Sequence, residues 1–107
     1  MAKKLHYLFD PLCGWCYGAA PALRGLSRAS GITVELLPTG LFSGAGAKLV
    51  TDDFATYAWS NDQRIERLTG QRFMPLYRDK VLGDRGRLFD SGPATLALTA
   101  VSVTAPE

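Results

Sequence analysis

The sequence is poor in the residues that staple or metallate small proteins. It has two cysteines and one histidine in 107 residues. A disulfide framework needs more cysteines than that, and a closed zinc site wants four ligands. Charge of one sign is scarce as well: twelve Lys and Arg against ten Asp and Glu leave a net +2. So small an excess gives no electrostatic footprint for nucleic acid. The basic residues from Arg64 to Arg87 are interleaved with acids and spread over several elements, which also argues against a nucleic-acid partner. No apolar run approaches the roughly 20 residues of a membrane span, so no membrane partner is expected. The basic start, Met1 to Lys4, leads into an apolar stretch that stops at Asp10-Pro11, too soon for a secretory signal. The glycines between Thr39 and Lys48 lack the Lys-Ser/Thr ending of a phosphate-binding loop. They read as a connection. No internal repeat is visible.

What the sequence does have is Cys13-Gly14-Trp15-Cys16. Its only two cysteines stand three positions apart. A short apolar run, Leu5 to Phe9, leads into them and a helical pattern leads away. Strand, cysteine pair, helix is the context of a redox-active CxxC. A thiol at the mouth of a helix meets unpaired N–H groups and the positive end of the helix dipole, so a lowered Cys13 pKa is expected. Cys16 lies about one turn on, within reach of a disulfide. With no export signal, a reducing, cytoplasmic compartment is expected. There a CxxC is catalytic or metal-binding rather than a staple.

The run Leu5 to Phe9 predicts a strand buried on both faces, ended by Asp10-Pro11. Asp10 reads as a turn residue rather than a proton relay. His6 reads as a strand or edge residue without chemistry. A helix is predicted from Trp15 to Ser30, kinked at Pro21 and stopped by Gly31. Ile32 to Leu37 reads as a second strand closed by Pro38, with Glu35 at a solvated or edge position. Together these make a parallel βαβ unit. Thr51 or Asp52 caps a second helix that ends at Gly70. Phe54, Tyr57, Ala58, Ile65 and Leu68 form its predicted apolar stripe, and Asp62, Glu66, Arg64 and Arg67 its solvated face. Pro75 starts a short helix ending at Gly83. Asp84 to Arg87 reads as a loop. Ser91 and Pro93 open a last, apolar helix through Val103.

The run Phe9-Asp10-Pro11-Leu12-Cys13-Gly14-Trp15-Cys16-Tyr17-Gly18 resembles the active-site segment of the DsbA-like thioredoxin-fold family. It is closest to the bacterial, cytoplasmic branch of protein-disulfide isomerases related to the FrnE proteins. The sharp part is about ten residues; the Thr39-Gly40-Leu41 turn and the helical segment support it more weakly. The resemblance implies an α/β fold: the N-terminal βαβ half of a thioredoxin-like fold (residues 1–40), then part of an all-helical insertion (residues 41–107). It implies Cys13 as nucleophile and Cys16 as resolving thiol. Gly14 and Trp15 become the dipeptide that sets redox poise, and Pro11, Gly14, Trp15 and Tyr17 the substrate-binding or tuning residues. Plain packing is the stronger reading of Tyr17. Pro21 stands where such proteins often carry a kinking proline. The family continues well beyond this length, into a cis-proline loop that grips substrate. Neither Pro93 nor Pro106 has the strand context for that role, so the chain reads as truncated.

The function expected is thiol–disulfide exchange with protein or peptide thiols and disulfides, with no cofactor and no metal. Without the second wall of the groove, weak or no turnover is expected. The alternative is a truncated, catalytically weak module that self-associates through exposed apolar surface or holds half a zinc site completed by another chain.

Overall fold

A computed structural model describes residues 3–104; the basic start at Met1, and Pro106, lie outside the described residues. β1 (Lys3–Phe9), α1 (Gly14–Ser27) and β2 (Ile32–Pro38) form the predicted unit. The strands pair in parallel, in register from Lys3 opposite Ile32 to Phe9 opposite Pro38. Glu35 sits across from His6, accepts from Lys4 Nζ at 2.7 Å and lies 3.6 Å from His6 Nδ1. That is the solvated edge expected of it, and Lys4 holds its carboxyl below the usual range.

The expected double burial of β1 is not found. Only Tyr7 and Phe9 are half-buried and the other residues of the strand are exposed. Among the described residues this sheet has two strands and no third, and α1 covers part of one face.

α1 ends three residues earlier than predicted, in a turn in which Ala29 N–H donates to Leu26. Gly31, at φ 78°, then leads into β2. The helix runs on through Pro21. A proline there cannot donate to the Tyr17 carbonyl four residues back. Gln71 Nε2 donates to that carbonyl instead, at 3.1 Å. The proline thus opens an acceptor through which the helical segment docks.

α2 (Asp52–Thr69) begins and ends where its caps dictate. Thr51 Oγ1 accepts from Phe54 N–H at 3.1 Å, and Asp52 and Asp53 favour the positive end. Gly70 closes it at φ 79°. α3 (Pro75–Tyr77) continues as a π turn, Arg78–Leu82, up to Gly83. Two short strands that the sequence did not signal, β3 (Lys48–Leu49) and β4 (Leu88–Phe89), pair antiparallel around the base of this segment. Strands of two residues carry no alternation to read. α4 (Gly92–Thr104) follows with its apolar residues exposed, Leu96 at 72% and Val103 at 75%.

The core lies in the helical part. Val50, Ala55, Leu82 and Phe89 are buried together, with Phe42, Phe54, Trp59, Tyr77 and Leu12 packed against them. Leu12 is next to Cys13, so the cysteine loop is anchored in this core. The buried residues of α2 are Ala55, Asp62 and Ile65. The predicted stripe is therefore partly wrong: Tyr57 and Leu68 face solvent, and Asp62 lies inside. The reason is α1, which presents Gly14 and Gly18 one turn apart and lets α2 approach closely on that side. A methyl group on Gly18 would stand 2.7 Å from Ile65 Cγ2.

Candidate active site

Cys13 is the N-cap of α1, in extended backbone, and its carbonyl accepts the first helical bond from Tyr17 N–H at 3.1 Å. Gly14, Trp15 and Cys16 form the first turn. Both cysteines are free thiols and half-buried. The pair therefore stands where the sequence placed it, at a helix start.

Asp10 holds the loop that delivers it. Its carboxylate is 1% exposed and accepts three hydrogen bonds. Leu12 N–H donates to Oδ1 at 2.8 Å, the turn predicted for this residue. Phe42 N–H and Ser91 Oγ donate to Oδ2 at 3.1 and 2.6 Å. Cys13 N–H donates to the Asp10 carbonyl at 3.0 Å. One buried carboxylate thus ties the cysteine loop to the 39–48 connection and to the start of α4. The turn was legible from Asp-Pro at a strand end. The link to Ser91, 81 residues away, left no local signal.

A cleft of about 370 Å³ opens beside Cys13. Pro11, Leu12, Cys13, Gly14 and Tyr17 line one side, and Arg72, Phe73, Met74 and Tyr77 the other. Three of the four residues expected to contact substrate, Pro11, Gly14 and Tyr17, meet there. Trp15 does not line it; it is 43% exposed on the outer surface. Tyr17 packs, as its sequence reading favoured. Its ring meets Phe73 edge to face at 4.9 Å, and its hydroxyl donates to the Arg72 carbonyl at 2.6 Å. Met74, Phe73, Tyr77 and Arg72 were not foreseen, because no local pattern shows that 71–77 folds back over the cysteines. Among the described residues, no three His, Cys, Asp or Glu side chains cluster as a metal would require.

The expected lowering of the Cys13 pKa is not found. Burial pushes this thiol up, and the side-chain hydrogen bond with Cys16 adds to that. The N–H groups of Cys16 and Trp15 pull the other way and do not prevail. The helix-end effect is present, but withdrawal of the sulfur from water outweighs it. Tyr7, on β1, is a further neighbour that was missed. Burial first, then Cys16 and Cys13, push its phenol up. On β1 it stands two residues before Phe9, and only the fold brings it to the sulfurs.

The chain is similar to the cytosolic disulfide reductase DsbM from Pseudomonas aeruginosa, with 40% identity and a TM-score of 0.83. The match covers 96% of this chain and 47% of that one. A second structure of that protein, with GSH, matches at 39% identity and a TM-score of 0.82, covering 96% of this chain and 48% of that one. A proposed protein disulfide isomerase from Nitrosomonas europaea shares the fold at 24% identity and a TM-score of 0.79, covering 99% of this chain and 48% of that one. The chain thus spans about half the length of the solved structures it matches. No protein-family model and no curated protein matches it.

Proposed function

We propose that this chain, which belongs to the DsbA-like thioredoxin-fold family, exchanges disulfides through Cys13 and Cys16 in the reducing direction. The observation that carries this is the placement of Cys13: it caps α1 and lines the cleft formed with residues 72–77. Cys13, as thiolate, attacks one sulfur of a substrate disulfide. That bond breaks, and the departing sulfur leaves as a thiolate and takes up a proton. Cys16 then attacks Cys13 Sγ and breaks the mixed disulfide. The substrate leaves with two thiols, and the chain keeps a Cys13–Cys16 disulfide.

The cleft fits the partners this chemistry needs. Tyr17, Phe73, Tyr77 and Met74 give apolar surface for a peptide or small thiol, and Arg72 gives a cation for a carboxylate. The GSH present in a relative's structure supports a small-thiol partner for regeneration. A cytoplasmic setting is consistent with the cytosolic relative.

The test is a titration in glutathione buffers of graded ratio. The pair should pass between dithiol and disulfide in one two-electron step, about 30 mV per tenfold change. Cys13→Ser and Cys16→Ser should each remove the step. A chain that forms no internal disulfide in the most oxidising buffer contradicts the assignment.

A further inference from the structure

Asp62 has no part in the exchange described above, and its surroundings are unusual. It lies on α2, it is 5% exposed, and among the described residues its Oδ2 has no hydrogen-bond partner. Burying a carboxylate without a donor is costly. Its neighbour on the face toward α1, Ile65, is apolar, fully buried and set against Gly18. The carboxylate abuts Gly14, the first residue of α1: a methyl group there would stand 2.8 Å from Asp62 Oδ1. Gly14 is bonded directly to Cys13. Any residue larger than glycine in the dipeptide's first position would force this carboxylate away.

The groups around it bear on its charge. Tyr77, from α3, feels the Asp62 carboxylate and also lines the cleft beside Cys13. Glu66, one turn on along α2, is engaged with Phe73 N–H at 2.7 Å. Arg72 lines the cleft, but among the described residues it forms no ion pair with Asp62. From α1, Cys13 is the titratable group nearest to it in sequence from Gly14. The start of a helix stabilises one negative charge well. Here Cys13 caps that start and the Asp62 carboxylate abuts its first residue, Gly14.

We propose that Asp62 is a positioning residue that restrains Cys13, its carboxylate at the head of α1 opposing the thiolate and leaving the dithiol poised as a slow nucleophile and a strong reductant. This rests on the exchange proposed above and names how that site is regulated. No bond is made or broken at Asp62; it only gains or loses a proton. When the carboxyl is protonated the restraint lifts, and the helix start acts on the sulfur alone. Burial raises this carboxyl to about 6, so the change falls within reach of ordinary buffers. A thiolate destabilised relative to the disulfide makes the reduced pair the better electron donor.

The experiment is alkylation of Cys13 by iodoacetamide, followed from pH 5 to pH 9 with the adduct located by mass spectrometry. Alkylation reads the thiolate directly and needs no disulfide chemistry. Its failure is therefore separable from failure of the exchange itself. In the unaltered chain, the logarithm of the rate should rise with pH, flatten near pH 6 as Asp62 ionises, and rise again. In Asp62→Asn the shoulder should vanish and the rate at pH 7 should increase roughly three- to tenfold. A straight unit slope through pH 6 in the unaltered chain overturns the proposal, and needs no variant to fold. So does an Asp62→Asn variant that unfolds cooperatively yet alkylates at the original rate.

Discussion

Replacing Gly18 with alanine tests the contact that seats α2 under the cysteine helix. An added methyl would sit 2.7 Å from Ile65 Cγ2 and 3.1 Å from Thr69 Cγ2. Carbon atoms rest at about 3.5–4.0 Å, so one of them must move by about 1 Å. Ile65 is fully buried and has nowhere to go. Overpacking of this kind costs about 1–3 kcal/mol. Alanine recovers up to about 1 kcal/mol of helix propensity. The net expectation is a loss of about 1–2 kcal/mol. Gly25, two turns on in the same helix, is the internal control, because a methyl there meets nothing within 4 Å. Gly25→Ala should therefore stabilise by about 0.5–1 kcal/mol. Urea unfolding of both variants, followed by circular dichroism, gives the two midpoints. They should move in opposite directions. Gly18→Ala and Gly25→Ala both stabilising to the same degree would refute the close approach of α2 to α1.

Ser91→Ala leaves Asp10 Oδ2 with Phe42 N–H as its only donor. It should cost about 1–3 kcal/mol in urea unfolding, and a neutral result would mean the hydroxyl does not hold the cysteine loop. Tyr17→Phe keeps the ring on Phe73 and loses the bond to the Arg72 carbonyl. It should cost about 0.5–1.5 kcal/mol and speed amide exchange over residues 71–74. Asp62 gives the stability a pH dependence of definite sign. Its carboxyl is raised from 3.8 to about 6, so the folded state holds the proton more tightly than the unfolded chain. Its contribution is full below pH 4 and is lost as pH rises through 6, by about 3 kcal/mol. Asp62→Asn should flatten the urea midpoint between pH 4 and pH 7; equal slopes in the two proteins would contradict the burial.

The elements written in local chemistry were legible in the sequence. The bounds of α2 follow from Thr51, two aspartates and Gly70, which act within one turn of themselves. The βαβ unit follows from two apolar runs around a helical pattern, and the cysteine pair from its spacing. What escaped is what depends on distant partners. Asp62 alternates with arginines on paper and reads as solvated, yet two glycines on α1 draw that face of α2 inward. The Cys13 thiol obeys the helix-end rule only in part, because residues 71–77 cover it and burial prevails. Pro21 reads as a kink. Its consequence in the structure is a carbonyl offered to Gln71, fifty-four residues away.

In the proposed exchange, Cys13 attacks the disulfide and Cys16 resolves the adduct. That assignment is tested most directly by incubating Cys16→Ser with oxidised glutathione and mapping the product by mass spectrometry. A stable glutathione adduct on Cys13, absent from Cys13→Ser and cleared within the unaltered chain by Cys16, is the result expected. An adduct that forms on Cys16 rather than Cys13, or on neither, would contradict it.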